Sequence, residues 1–216
     1  MILIGALVLS TSTFAQIKVG ITAGASYNKY SMDQQYMTDF VLDGRWGTTF
    51  GVSGQYDLNE WFGIRADLNM IQKNYRRSRV VYSNVDYKFT NNYLQLPVMA
   101  SFSFGGRKFR GFCNLGAYGG YWLSSHQKGS DIDIFSGYAP FSFDEKVQFM
   151  SERDQRWDCG LVGGLGMSYR IAPQWSVQAE VRHYYSTTST TKQYMRVNDY
   201  RYNSTTAFQI GAYYHF

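Results

Sequence analysis

Apolar and polar residues alternate with period two along most of this chain, and no window carries a helical apolar stripe of useful length. From Ile17 onward, Ile17, Val19, Ile21, Ala23, Ala25 and Tyr27 share one face, while Lys18, Gly20, Thr22, Gly24 and Ser26 share the other. The same pattern predicts strands over residues 48–57, 62–70, 94–103, 109–123, 157–171, 175–182 and 208–216. Residues 62–70 are among the clearest, with Phe62, Ile64, Ala66, Leu68 and Met70 set against Gly63, Arg65, Asp67 and Asn69. Strands in soluble proteins average about 5 to 6 residues, whereas a tilted strand needs about 9 to 11 to cross a bilayer. The predicted lengths match the membrane.

The connections between these strands fall into two alternating classes. Short turns are expected near residues 57–60, 105–108 and 172–174, and long polar segments near 30–46, 76–91, 124–156 and 186–203. Outer-membrane barrels have this segregation, with short periplasmic turns, long external loops and an even strand count. The predicted fold is therefore all-β, an eight-stranded antiparallel up-and-down transmembrane β-barrel. A soluble lipocalin-like barrel would share the alternation but gives no reason for connections sorted by length.

Composition fits that reading. Mean hydropathy is only -0.34, as expected when lipid-facing and lumen-facing residues alternate and dilute each other. Aromatics make up 18% of the chain, and Trp61, Phe62, Tyr169, Trp175, Tyr214 and Phe216 all fall beside the short turns, as an interfacial girdle would. Residues 1–15, with an apolar run from Ile2 to Leu9 and Thr13-Phe14-Ala15 before Gln16, read as a secretory signal peptide preceding a barrel domain over 16–216. No other stretch approaches the roughly 20 apolar residues of a spanning helix.

The apolar face must meet lipid, which sends the polar face into a lumen only wide enough for side chains. Arg65, Asp67, Asp158, Glu180 and Arg182 fall on that polar face and are expected to neutralise one another there as a lumen charge network. The net charge of +5 is spread along the chain, so nucleic acid is not an expected partner. Its one tight cluster, Arg76-Arg77-Ser78-Arg79, falls in an expected loop, either as a solvated hairpin or as an attraction for anionic surface lipid or sugar.

Little catalytic chemistry is visible. Cys113 and Cys159 lie on neighbouring strands at different heights, which favours two free thiols over a bridge. His126, His183 and His215 have no metal-ligand spacing, and no glycine loop cradles phosphate, so no metal or cofactor is expected. His183 and Ser186, near Glu180, invite comparison with lipid A deacylase barrels. Those enzymes use a His-x-Ser spacing, whereas a spacing of three sends the two side chains to opposite faces of a strand.

The final Phe208-Gln-Ile-Gly-Ala-Tyr-Tyr-His-Phe216 resembles the terminal strand by which outer-membrane barrels are read by the barrel assembly machinery, with Tyr214 and Phe216 as the signal. Lys18-Val-Gly-Ile-Thr-Ala-Gly24, Tyr93-Leu-Gln-Leu-Pro-Val98, Asp158-Cys-Gly-Leu-Val-Gly-Gly-Leu-Gly166 and Gln178-Ala-Glu-Val-Arg182 together resemble the PorT-like outer-membrane β-barrel family. That resemblance implies the barrel; the family's association with type IX secretion attaches to few members and is not carried over. The expected function is a noncatalytic protein of the cell outer membrane whose external loops serve surface interaction or envelope integrity. The third loop, with Ile132, Ile134, Phe135, Tyr138, Phe141, Phe143, Phe149 and Met150, is the longest, and its alternation also suits a hairpin that rises above the membrane. Expected partners are outer-membrane lipid, the assembly machinery and an envelope or extracellular protein. The alternatives are an accessory of a secretion or assembly system, a deacylase-like hydrolase and a soluble lipocalin-like binding barrel.

Overall fold

The computed structural model describes residues 16–32, 39–80, 85–133, 137, 139–192 and 200–216. The signal peptide expected over 1–15, and Ile134, Phe135 and Tyr138 of the third loop, lie outside the described residues. The strands are β1 (Gln16–Met32), β2 (Phe40–Asp57), β3 (Phe62–Gln72), β4 (Tyr75–Arg79), β5 (Asp86–Gly105), β6 (Phe109–Asp133), β7 (Ala139–Lys146), β8 (Trp157–Ala172), β9 (Trp175–Ser186) and β10 (Arg201–His215).

Eight of these strands close a ring in the order β1, β2, β3, β5, β6, β8, β9, β10, and β10 pairs back onto β1 with Val19 opposite Tyr214 and Ala25 opposite Phe208. Every pairing is antiparallel. The remaining two are extensions. Strand β4 resumes the path of β3 after Lys73 and Asn74, between the same neighbours β2 and β5, and β7 pairs with the upper part of β6. The turn from β5 to β6 uses Gly105 at a φ of 120°, a conformation that side-chain-bearing residues rarely adopt.

The burial pattern is inverted relative to a soluble protein. Ile21, Leu165 and Ile210 are 67%, 66% and 69% exposed, whereas Arg65 and Arg182 are 1% and 0% exposed. Hydrocarbon, which cannot hydrogen-bond, favours this arrangement, because apolar side chains lose nothing there and polar ones can be satisfied only inside the ring. Outward aromatic contacts mark both borders of the apolar band. On the short-turn side Trp61, Phe62 and Phe102 pack together and Tyr214 meets Trp175 and Phe216. On the other side Tyr27 meets Trp46 and Tyr121 meets Trp157.

The strands run well beyond the stretches that apolar alternation predicts. Strand β1 continues to Met32, β2 begins at Phe40, β5 begins at Asp86 and β6 reaches Asp133, so much of the segments 30–46, 76–91 and 124–156 is hairpin rather than loop. The pattern of apolar residues ends where hydrocarbon ends, while the hydrogen-bond ladder continues into water, where polar residues are tolerated on both faces.

Closure is directly testable. On a background with Cys113→Ser and Cys159→Ser, Ala25→Cys with Phe208→Cys is expected to form a disulfide between the first and last strands under mild oxidant. Ala25→Cys with Leu165→Cys, on strands that do not pair, is expected to stay reduced on a gel; the opposite result would reject the register.

Candidate functional site

The inward faces of β3, β9 and β10 build an ionic cluster in the lumen. Arg65 donates from Nε to Asp67 at 2.9 Å, from Nη2 to the Tyr213 hydroxyl at 2.6 Å, and lies 3.2 Å from Glu180. Arg182 forks onto Glu180 with bonds of 3.0 and 2.7 Å and donates to Asp67 at 2.7 Å. Two guanidiniums and two carboxylates thus alternate in a neutral ring whose side chains are at most 4% exposed. Period two explains the pairs on one strand: Arg65 and Asp67 are two residues apart on β3, as Glu180 and Arg182 are on β9, so each pair stands side by side on one face. Small residues make room. A Cβ on Gly20 would come within 2.5 Å of the Tyr213 ring, and one on Gly164 would collide with the Glu180 carboxylate.

A second cluster involves residues nearer the long hairpins. Lys73, 0% exposed, places Nζ 2.6 Å from Asp158 and 5.2 and 5.0 Å from the ring centroids of Tyr93 and Tyr118. Asp158 also accepts from Ser186 at 2.5 Å and from the Tyr118 hydroxyl at 3.2 Å. Asp158 therefore does not join the other four expected members. It lies opposite Gly120 on β6 and is claimed by Lys73, a residue beyond the predicted end of the third strand. Lys73 keeps the inward parity of Arg65 and Asp67, which was the available signal. Tyr93, Tyr118, Tyr184 and Tyr213 are likewise inward and buried; sequence reasoning missed them because it assigned aromatic residues to lipid. Between these clusters, Asn69 and Gln95 face each other across β3 and β5, and both of their amides lack protein partners. Buried amides of this kind are sites for internal water.

Other sequence-selected groups do not converge. His183 is exposed on the outer face, bonded to Thr206, whereas Ser186 is buried in the lumen beside Asp158, so no Ser-His contact exists. Cys159 lies opposite Gly119, six residues along β6 from Cys113, or about 20 Å at strand spacing; both thiols are free. Among the described residues no group of three or more His, Cys, Asp or Glu could hold a metal. The arginine cluster is divided by β4: Arg76 points outward beside Asp86, while Arg77 lies over the rings of Phe40 and Tyr87.

Removing one member of the four-residue ring strands its partners in a low-dielectric interior. Arg182→Ala is expected to destabilise the barrel by roughly 3–5 kcal/mol. Urea unfolding in lipid vesicles would measure this, and the double variant with Glu180→Ala is expected to lose less than the sum of the two single losses. Strict additivity would mean that the two residues do not act together.

Similarity to known proteins agrees with this geometry. The family model described as outer membrane protein beta-barrel domain matches residues 1–216. The structure of OprG, an outer membrane protein from Pseudomonas aeruginosa, is similar over 94% of this chain and 96% of that one, with 13% identity and a TM-score of 0.53. Neisserial surface protein A matches over 92% of this chain and 97% of its own, with 16% identity and a TM-score of 0.47. No curated protein gives a significant match. With a closed ring, an apolar exterior, an ionic interior and a family match along the entire chain, this protein belongs to the outer membrane protein beta-barrel domain family and resides in the outer membrane.

Proposed function

We propose that this barrel is a noncatalytic scaffold that holds its extended hairpins at the cell surface for contact with other molecules or for envelope integrity. The observation that carries this reading is the pairing of a filled, ionically cross-linked lumen with strands that continue beyond the apolar band. A rigid ring fixes the base of each hairpin, and surface segments on rigid scaffolds commonly carry binding. The exposed Phe141 on β7 and the Tyr87–Phe143 contact give the third hairpin an apolar component that suits an envelope or extracellular protein partner. The separation of His183 from Ser186 supports the noncatalytic part of the proposal.

Within the family, the motifs around Lys18, Tyr93, Asp158 and Gln178 support a PorT-like assignment. We assign residues 1–15 as a cleaved signal peptide, 16–216 as the mature barrel, and Tyr214 with Phe216 as the signal read by the assembly machinery. Phe216 is 73% exposed next to Tyr214, so it contributes little to packing and is available for recognition.

Two outcomes test these assignments. Replacing residues 127–145 by Asn-Gly, which closes the His126–Lys146 pair with a tight turn, is expected to leave a heat-modifiable barrel in the outer membrane but to reproduce the detergent sensitivity of a strain lacking the protein. Full complementation by the trimmed protein would reject a role for that hairpin. Deleting Phe216 is expected to reduce the heat-modifiable form severalfold in cells while the purified chain still refolds in detergent, and unchanged assembly in cells would reject it as a signal.

A further inference from the structure

The outer face of the hairpin sheet carries a charge row that the scaffold role does not use. Asp43, Arg76, Lys88, Lys128 and Asp144 lie directly opposite one another across β2, β4, β5, β6 and β7. Three cations therefore occupy neighbouring strands at successive spacings of about 4.8 Å, and like charges set directly opposite destabilise a sheet. Counter-charges compensate only in part. Arg76 holds Asp86 at 2.6 Å, leaving that carboxylate 3.6 Å from Lys88, and Lys128 reaches Asp144 at 2.8 Å, where His126 also bonds. The bond from Lys128, followed by that from His126, holds the Asp144 carboxyl below its ordinary range, so it remains an anion at the end of the row. In the middle, the side chains of Lys88 and Lys128 are 49% and 69% exposed and border a shallow groove with Ser130 and Ser142.

The position of the row identifies what it faces. Lys88 lies on the same outward face of β5 as Leu94, Leu96 and Val98, and Leu94 sits opposite Tyr121 at the outer aromatic border. Six residues beyond Leu94, at about 3.3 Å per residue and a strand tilt near 40°, the backbone is about 15 Å above the hydrocarbon. A phospholipid headgroup layer is only about 5–8 Å thick, so the row stands above it. We infer that Lys88 and Lys128, flanked by Arg76, form a lateral binding site for a phosphate-bearing sugar of an outer-leaflet glycolipid. Two ammonium groups on adjacent strands act as point charges toward a phosphate dianion, and the serine hydroxyls can donate to its oxygens. Phosphate bound there would also offset the repulsion that the register imposes.

The test uses the full-length barrel in phosphatidylcholine vesicles containing rough lipopolysaccharide, dephosphorylated lipopolysaccharide, or phosphatidylglycerol at equal charge. The readout is the temperature at which compact, unboiled gel mobility is lost. Phosphorylated lipopolysaccharide is expected to raise that temperature most. Lys88→Ser with Lys128→Ser is expected to abolish most of the rise and to weaken binding on the order of twentyfold, from about fivefold per surface cation. The variant relieves like-charge repulsion, and its folding is checked in phosphatidylcholine alone. A matched control, Lys29→Ser with Arg107→Ser, is expected to retain the rise. An equal rise in the Lys88/Lys128 variant would overturn the site. An equal rise for the wild type with phosphatidylglycerol or with dephosphorylated lipopolysaccharide would overturn its assignment to phosphorylated sugar.

Discussion

Within hydrocarbon every backbone N–H and C=O must find its partner inside the protein, and the rest of this structure depends on meeting that constraint. A sheet can meet it only by closing. The pairing of β10 with β1, from Lys18 opposite His215 to Met32 opposite Arg201, removes the two edges that an open sheet would leave. Closure then fixes what is outside and what is inside, because a strand that presents Ile21 and Ala23 to lipid must present Thr22 and Gly24 to the lumen.

The lumen in turn has to be filled without water on either side of the wall to screen its charges. Arg65, Asp67, Glu180 and Arg182 fill it with alternating charge, and Lys73 with Asp158 does so among tyrosine rings. A charge in such a place is costly alone and tolerable as one member of a satisfied set. These clusters tie β3 to β9 and β8 across the barrel, where backbone ladders join only neighbours. They act as the counterpart of a hydrophobic core in a protein whose hydrophobic residues face outward.

Beyond the membrane the same strands obey different limits. Water satisfies both faces, so the sheet can carry Tyr75, Arg77 and Phe89 toward the interior and Arg76, Lys88 and Lys128 toward the surroundings of the barrel. Strand β4 converts a continuous run of basic residues into two chemically distinct surfaces. One is an arginine packed on aromatic rings, and the other is a row of exposed cations at the level of membrane saccharides.

Alternation by itself determined the strand class, the eight crossings, the direction of the apolar face and the inward placement of Arg65, Asp67, Asp158, Glu180 and Arg182, because parity along a strand is a local property. It also placed His183 and Ser186 on opposite faces, since that depends only on their spacing. Height around the barrel is different. Which inward residues meet depends on the stagger between strands, and that follows from turn geometry and from closure rather than from any one segment. Only the tertiary structure therefore separated Asp158 from the other four, gave it Lys73, and set Lys88 between Arg76 and Lys128. It also decided how far the hairpins rise, because the end of apolar alternation marks the end of hydrocarbon and carries no information about where hydrogen bonding between strands stops.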